Sequence, residues 1–411
     1  MLQSSGGAVT QSADRKPERR GNGTCEGTDK HGICKQKVME ESDFDDILDD
    51  WFIESLKTYK DLHVYQLEFP TRVIEWTSGK TVCVAGYRPD KNEILELCLP
   101  LRLFAEEKKG LCAERDFKVV NGGFSHGAVS VLKHVPGTRL AVTNDGLTSD
   151  LQVWDLGGHD SDVITRTASV TGTRSAHGGG AKMAAVHSSE PEVLHGVESG
   201  HVRLTRLSTG QNIYELASES ADLLTSLHFL SEAVFLAACT NGNLHTVDTR
   251  TPSPPQLVSS MDPGSLWWTD VSTGASGCRL VRVSSTGLTV LSDLRNPPGA
   301  VSQAQLAVGL RRQQHPGAGD VTVRWAPTLQ DTISVSGFSG DVQIYSATAW
   351  GAEPTTAAPL FEHRGHTVSS QAADGAVVTA HVWHPKQART LLSAASDGSL
   401  HVWDWNQQPD G

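Results

Sequence analysis

Four histidines late in the sequence come closest to a pattern that could bind a metal ion. They form two H-x2-H pairs, His363 with His366 and His381 with His384. Zinc binds imidazole nitrogens, and closely spaced histidines are common in its sites. The second pair lies in a predicted strand, however, where residues three apart point to opposite faces of the sheet. We therefore predict no metal site.

Other residues that could do chemistry lack the spacing that the chemistry needs. The triplet Gly178–Gly180 is not followed by the Lys-Ser or Lys-Thr of a phosphate-binding loop, and neither G-x-S-x-G nor H-E-x-x-H occurs. The cysteines number 7, and no two stand as C-x-x-C, which argues against a disulfide framework or a zinc site. We predict that the chain is not an enzyme and has no catalytic, cofactor-binding or metal-binding residues.

The composition excludes several classes of partner. The chain has 411 residues and a net charge of −12, and an acidic surface repels a phosphate backbone. No run of about 18 apolar residues occurs, and residues 1–38 lack the apolar core of a signal peptide. We predict a cytoplasmic protein that binds other proteins and contacts neither nucleic acid directly nor a membrane.

The first sixty residues form two segments of different character. Residues 1–38 are rich in Gly, Ser and charge, and we predict a disordered extension because they offer too little apolar area to offset the entropy of ordering. Met39 could be an alternative start. Residues 39–60 are predicted to hold an amphipathic helix, since apolar residues recur there at helical spacing. Trp51 and Phe52 on its apolar face are candidates for binding a partner; packing against the protein's own body is the alternative.

From residue 61 onward the chain consists of short apolar runs of period two. Gly, Asn, Asp, Ser and Pro separate these runs, which indicates many short strands. In three places a proline is followed 18 positions later by an aromatic residue, and the pairs are Pro136 and Trp154, Pro327 and Tyr345, and Pro385 and Trp403. Turn residues divide the region into seven units, with turns near residues 92, 149, 200, 242, 287, 340 and 398.

Two of the units end in a Trp-Asp dipeptide, Trp154-Asp155 and Trp403-Asp404. A period of about 40–45 residues that carries this dipeptide is typical of four-stranded propeller blades. We therefore predict an all-β fold, a seven-bladed WD-repeat β-propeller over residues 61–406. The N-terminal helix and the disordered tail precede it, and a short tail follows at 407–411.

The last unit lacks an outer strand. Only six residues follow the strand that ends at Trp405, too few for another strand. The segment 61–69 alternates polar and apolar residues and precedes the first unit. We predict that this segment pairs with the last unit and closes the ring, which leaves no long unpaired sheet edge.

Several motifs outside the repeat pattern carry a resemblance to a known family. They are Trp51–Leu56, Ala85–Tyr87, Lys91–Leu95, Glu114–Val119, Gly122–Ser125, Lys133–Pro136, His363–His366 and Leu391–Trp405. Over about residues 39–406 the chain resembles one family of WD-repeat β-propeller proteins. The resemblance implies a structural network in the last blade, in which a histidine ring bridges an aspartate and a serine, and the serine meets a tryptophan indole. Its members would be His366, Ser393, Asp397 and Trp403.

The same resemblance implies a function. It implies a non-enzymatic scaffold of the cytoplasm that helps to assemble the RNA endonuclease module of the Integrator complex, with the subunits of that module as partners. It further implies a role in organising microtubules at the spindle pole during cell division, a location at the cytoskeleton, and microtubule-associated proteins as partners. Neither composition nor spacing leads to these expectations by itself.

Two alternatives stay open at this point. Inserted loops at 99–127 and 347–377 are candidate contact regions, or they are ordinary surface loops. The chain could also be an enzyme or a ligand-binding propeller that uses its central channel, because one fold serves many functions. The residues predicted to line that channel include His134, Trp325, His381 and Trp383. This set contains no acid, which argues against catalysis there.

Overall fold

The computed structural model describes residues 23–28 and 34–38 by their backbone and most of residues 51–406. The gaps in the latter are 52, 54, 56, 89, 101–116, 159–160, 173–174, 176–177, 252, 273–277, 296–298, 309–320, 339 and 370–375. Strands β1 (Gly23–Thr28) and β2 (Cys34–Val38) form an antiparallel hairpin. These two segments differ from the predicted disorder, because their backbones pair as strands; the rest of 1–38 lies outside the described residues.

Seven sheets follow, which we call blades I to VII, and the chain reaches them through β3 (Tyr59–Gln66). Blade I comprises β4 (Thr71–Trp76), β5 (Thr81–Gly86), β6 (Asn92–Cys98) and β7 (Lys118–Ser125). Blade II comprises β8 (Val131–His134), β9 (Leu140–Asn144), β10 (Leu151–Asp155) and β11 (Thr165–Val170). Blade III comprises β12 (Lys182–Ala184), β13 (Glu192–Gly196), β14 (His201–Arg206) and β15 (Gln211–Ala217).

Blades IV to VII repeat the pattern. Blade IV comprises β16 (Leu224–Phe229), β17 (Val234–Cys239), β18 (Leu244–Asp248) and β19 (Gln256–Val258). Blade V comprises β20 (Trp267–Ser272), β21 (Arg279–Ser284), β22 (Leu288–Asp293) and β23 (Ala300–Leu306). Blade VI comprises β24 (Thr322–Trp325), β25 (Thr332–Ser336), β26 (Val342–Ser346) and, after the short β27 (Thr355–Ala357), β28 (Phe361–His363). A short helix, α1 (Gly365–Ser369), leads into blade VII, which comprises β29 (Val378–Trp383), β30 (Thr390–Ala395), β31 (Ser399–Trp405) and β3.

The blades form a closed ring, which confirms the seven-bladed propeller. The innermost strands β4, β8, β12, β16, β20, β24 and β29 each contact the next one, and β29 contacts β4. The core lies between neighbouring blades, so strands such as β5 and β17 are buried on both faces and read as continuous apolar runs. At the closure, Leu392 and Val402 of blade VII pack with Ile74 and Val84 of blade I.

Blade VII takes its outer strand from the opposite end of the propeller. Strand β3 pairs antiparallel with β31, with Tyr59 opposite Trp405 and Gln66 opposite Ser399. This strand is the segment that the alternation predicts as the closing strand at 61–69, shifted toward the N-terminus by two or three residues.

The N-terminal helix predicted over 39–60 lies outside the described residues between 39 and 50. At its carboxyl end the described residues 51, 53, 55, 57 and 58 are helical, but the helix ends two residues earlier than predicted, because Tyr59 and the residue after it belong to β3. Pairing with Trp405 and a hydrogen bond of 2.7 Å between the Tyr59 hydroxyl and His363 Nδ1 hold this segment extended. Such tertiary contacts routinely override local helical spacing.

The predicted inserts are partly built into blades. Residues 118–125 of the first insert form β7, the outer strand of blade I. In the second insert, β27 joins blade V as a fifth strand parallel to β23, and β28 is the outer strand of blade VI. Across the described ranges we find no helix with the length and apolar character that crossing a bilayer requires.

Candidate functional site

The polar network that the resemblance implies lies in the core of blade VII. The His366 ring is fully buried, and its Nε2 is 2.8 Å from the Ser393 hydroxyl oxygen. The Trp403 indole N–H donates to the same oxygen at 3.1 Å. These contacts tie α1 to strands β30 and β31.

Asp397 lies one step farther from the histidine than the resemblance implies. Nδ1 of His366 is 2.7 Å from the Ser399 hydroxyl, which in turn donates to Asp397 Oδ1 at 2.6 Å. Because Ser399 gives its only hydroxyl proton to Asp397, Nδ1 of His366 carries the imidazole proton and donates it to Ser399, and Nε2 accepts from Ser393. The backbone N–H of Ser399 also donates to Asp397 Oδ1 at 3.0 Å. The carboxylate therefore folds over its own turn and reaches the ring only through a serine.

Two further histidines extend the network to the closing strand. His363 Nδ1 bonds to the Tyr59 hydroxyl at 2.7 Å, and His363 Nε2 lies 3.0 Å from His401 Nδ1. The His401 and His366 rings stack with centroids 3.7 Å apart. We call His363, His366 and His401 the closure histidines. They are close enough to form a metal site, but hydrogen bonds occupy both nitrogens of His363 and His366 and Nδ1 of His401. They join blade VI to both partners of the ring closure.

The closure histidines are neutral in the folded protein. Burial is the main cause that holds the pKa of His363 and that of His366 well below the usual value, and the charge of a protonated His401 nearby would lower both further. Burial lowers the pKa of His401 to about 4, although Asp397 acts in the opposite direction. The unfolded chain binds a proton at each imidazole near pH 6.5.

We therefore expect the free energy of unfolding to fall as the pH drops below 6.5. Each closure histidine removes roughly 1.4 kcal/mol per pH unit between 6.5 and its folded pKa, because the unfolded state takes up protons that the folded state excludes. Asp404 opposes this trend, since burial raises its pKa to about 6, but it is one group against three. Urea unfolding at pH 7.5 and pH 5.5 measures the effect, and equal stability at both values would contradict it. In His401→Gln the slope should be smaller.

The two Trp-Asp dipeptides are structural. Trp154 is buried, and its indole N–H donates to the Thr143 hydroxyl at 2.8 Å, as Trp403 does to Ser393. Asp155 Oδ1 accepts the backbone N–H of Gly157 at 2.9 Å, and Asp404 is buried in β31. The dipeptides thus anchor the third strands of blades II and VII.

Residues on the innermost strands lock neighbouring blades together. The His381 ring lies between the hydroxyls of Ser334 (2.7 Å) and Ser336 (2.8 Å), and Trp383 donates to Ser334 at 2.8 Å. All three bonds cross from blade VII to blade VI. His134, also predicted for the channel, bonds through Nε2 to a backbone oxygen in its own blade at 2.9 Å. Three of the four residues predicted to line the channel, His134, His381 and Trp383, therefore have hydrogen-bond partners within the ring.

The central channel itself contains a cavity of about 520 Å³. Lys133, Lys182 and Arg324 are among its lining residues, and Lys133 pairs with Glu75 at 3.1 Å. Arg324 lies 3.5 Å from Asp270 on the neighbouring inner strand. These ion pairs connect blade I with blade II and blade V with blade VI, so charge in the channel also serves the ring.

Apolar side chains are exposed along the outer strand of blade I. In β7, Val119 is 62%, Val120 43% and Phe124 49% exposed. Phe124 also lines a cavity of about 470 Å³ between blades I and II. We call these three side chains the blade I patch. Grouped exposed apolar residues mark protein-binding surfaces in soluble proteins.

A buried polar clamp holds the strand that carries this patch. Glu96 is 1% exposed, and its carboxylate accepts from Asn121 of β7 at 2.6 Å, from Thr77 at 2.6 Å and from Arg139 Nη1 of blade II at 2.9 Å. A carboxylate with this many partners is well compensated for its burial. The blade I patch therefore stands on a rigid base rather than on a loose loop.

Trp51 and Phe52 are the two residues of the predicted N-terminal helix that are candidates for binding a partner. Trp51 is partly buried, and Phe52 lies outside the described residues. Their role in binding a partner stays a prediction.

Comparison with known proteins gives the family. No family model matches the sequence. The chain is 45% identical over 366 residues to the Danio rerio protein named Integrator complex assembly factor WDR73, across 87% of this chain and 96% of the relative. It is 39% identical over 371 residues to the proteins of that name in Homo sapiens and in Mus musculus, across 97% and 98% of those relatives and 87% and 88% of this chain. With the propeller and these similarities together, the chain belongs to the WDR73 family of Integrator complex assembly factors.

Proposed function

We propose that this chain is a non-catalytic assembly factor for the Integrator complex and that it holds subunits of that complex on the side of its propeller. The names of its relatives support an assembly role, and a rigid ring of blades suits a scaffold. The finer part of the proposal, which rests on the sequence resemblance, is that the subunits are those of the RNA endonuclease module. The cytoplasmic location and the microtubule and spindle-pole role stay predictions of that resemblance.

The blade I patch is the observation that carries the proposal to a surface. Three apolar side chains on one strand, two of them about half exposed and one more so, lose contact with water when a partner covers them, and that burial is favourable at roughly 25 cal/mol per Å². The groove beside Phe124 offers a concave site for a partner side chain. The patch also lies within the 99–127 region that the sequence analysis selects as a contact candidate.

Charge selects the kind of partner surface. The chain carries a net charge of −12, so a basic patch on a subunit would be steered toward it at low salt. Asp145 and Asp150 line the groove beside Phe124, and Arg166 is the one Lys or Arg in its lining. Lys91 Nζ lies 3.8 Å from the centroid of the Phe124 ring. An Integrator subunit that presents apolar side chains ringed by Lys or Arg would fit this surface.

The blade I patch can be tested by changing its character without touching the core. In the variant Val119→Asp, Val120→Asp, Phe124→Ser, we expect recovery of Integrator subunits to fall at least about tenfold, equivalent to roughly 1.4 kcal/mol of binding free energy. The measurement is affinity purification from cells followed by quantitative mass spectrometry. Leu257→Asp is the matched control, because Leu257 is 53% exposed on the outer strand of blade IV.

Two outcomes would contradict the proposal. Unchanged recovery from a folded patch variant would remove the patch as the binding surface. The absence of Integrator subunits from the wild-type purification would remove the assembly role itself. The melting temperature of each variant shows whether the fold is kept.

A further inference from the structure

A cluster of three different metal-binding side chains lies between blades III and IV, away from the closure histidines and the blade I patch. It consists of Asp222, Cys239 and His245, whose ligand atoms all lie within 4.8 Å of one another. Asp222 lies in the segment that leads into β16, Cys239 ends β17, and His245 lies near the start of β18.

The strand register explains why the sequence hides this cluster. His245 lies opposite Ala237 in the β17–β18 pair, and Cys239 is two residues beyond Ala237. Residues two apart in a strand share a face of the sheet, so Cys239 and His245 point to the same side. Asp222 reaches that side from a different segment. A hydrogen bond of 2.9 Å, from the Ser199 N–H to the Asp222 backbone carbonyl, holds this segment in place. The spacing therefore contains no C-x-x-C or H-x-x-H pair.

The histidine has a buried nitrogen without a hydrogen-bond partner. His245 is 5% exposed, and no described group bonds to its Nε2. That nitrogen is directed at the cluster, 3.7 Å from Asp222 Oδ2, which is too far for a hydrogen bond. The distance is close to the roughly 3.4 Å that separates a nitrogen and an oxygen bound to the same tetrahedral zinc ion. An orphaned buried nitrogen is costly unless a ligand satisfies it.

The carboxylate is held in a ligating position by two amides. Asn241 Nδ2 donates to Asp222 Oδ1 at 2.9 Å, and Asn243 Nδ2 donates to Oδ2 at 2.8 Å. The oxygens of both amides accept backbone N–H groups, those of Asn243 and Ser260 respectively, at 3.0 Å. The amides therefore can only present their NH₂ groups to Asp222. Such outer partners orient ligands in metal sites and raise their affinity.

We propose that Asp222, Cys239 and His245 form a binding site for a divalent transition-metal ion, with Zn²⁺ as the ion that its ligands suit best. A thiolate, an imidazole and a carboxylate are the three ligand types of zinc in proteins, and a water molecule could complete a tetrahedron. Two anionic ligands neutralise the charge of the ion, which favours its burial. Cys239 is 1% exposed, whereas the Asp222 side chain is 27% exposed and gives the ion a path from solvent.

Binding requires the loss of one proton. Burial, and then the charge of Asp222, raises the pKa of the Cys239 thiol to about 12, so the apo protein carries S–H. When the ion binds, a metal–sulfur bond forms, the S–H bond breaks and the proton leaves to the buffer. Affinity should therefore rise with pH.

Cobalt substitution tests the site directly. Titration of the metal-free full chain with Co²⁺ should produce a thiolate-to-cobalt charge-transfer band in the near ultraviolet, which Zn²⁺ then abolishes by displacement. Cys239→Ala should lose the band, and His245→Gln should weaken Zn²⁺ binding more than about tenfold. His401→Gln, in the closure histidines, is the matched control and should keep wild-type binding. Absence of the band in the wild type, or its retention in Cys239→Ala, would overturn the proposal. Absence of the band in the wild type overturns the proposal without any variant, so misfolding of a variant does not rescue the site.

Discussion

Deletion of residues 59–66 is expected to unfold the propeller as a whole rather than to remove one strand from it. The deletion removes the only partner of β31 on its outer side among the described strands. It also removes Tyr59, whose ring lies edge-on to Phe361 at 5.0 Å and whose hydroxyl bonds to His363. Lost aromatic burial, stranded polar groups in the network and an open sheet edge each cost about 1–3 kcal/mol, and their sum approaches the 5–15 kcal/mol that stabilises a typical domain.

Circular dichroism and thermal melting measure this effect. We expect the deleted chain to lose its cooperative transition or to melt far below the wild type. Val64→Thr is the control on the same strand, because Val64 is exposed and its replacement keeps the backbone pairing. A deleted chain that melts like the wild type would show that β3 is dispensable for the ring.

Replacement of His366 by alanine is expected to cost about 3–5 kcal/mol of unfolding free energy. The change leaves a cavity where a fully buried ring stood, and it strands the hydroxyls of Ser393 and Ser399. Loss of a buried aromatic ring costs about 3–5 kcal/mol. Urea unfolding monitored by tryptophan fluorescence reports the change, since Trp403 shares the Ser393 hydroxyl.

Asp397→Ala provides the graded comparison for His366→Ala. Asp397 accepts two bonds from Ser399 and does not bond to the ring itself, so its loss should cost about 2 kcal/mol, at roughly 1 kcal/mol for each bond. If Asp397→Ala destabilised the protein as much as His366→Ala, the chain of contacts through Ser399 would be incorrect.

The repeat pattern determines most of what could be predicted about the fold. Because both faces of each blade are covered by neighbours, apolar runs and turn residues recur at each blade, and the intervals ending at Trp154 and Trp403 identify blades II and VII directly. Ring closure follows from a missing strand at one end and a surplus alternating segment at the other. These features are local in sequence and need no knowledge of tertiary contacts.

Features that depend on contacts between distant segments could not be predicted. Tyr59 looks helical from its neighbours and becomes a strand residue only because Trp405 pairs with it. Strand β27 adds in parallel to a blade already complete, which no repeat pattern specifies. Ser399 reads as an ordinary strand residue, yet its hydroxyl separates Asp397 from His366.

The candidate functional sites also divide into features that the sequence predicts and features that it does not. The network of blade VII could be placed from a resemblance, because its members stand at fixed positions in the repeat. The blade I patch could not, since Val119 and Val120 are adjacent yet both exposed; an irregularity in the β6–β7 pairing places them so. The cluster of Asp222, Cys239 and His245 depends on a register between strands and on a third segment.

Amide hydrogen exchange at β3 tests the ring closure most directly. Within the propeller, strands β3, β31 and β4 belong to one cooperative unit, because β31 pairs with β3 and its side chains pack against those of β4. The account predicts that amides of 59–66 exchange as slowly as those of 399–405, and that both sets become unprotected together as denaturant is added. Fast exchange at 59–66 while 399–405 stays protected would show that the two ends of the propeller are not joined.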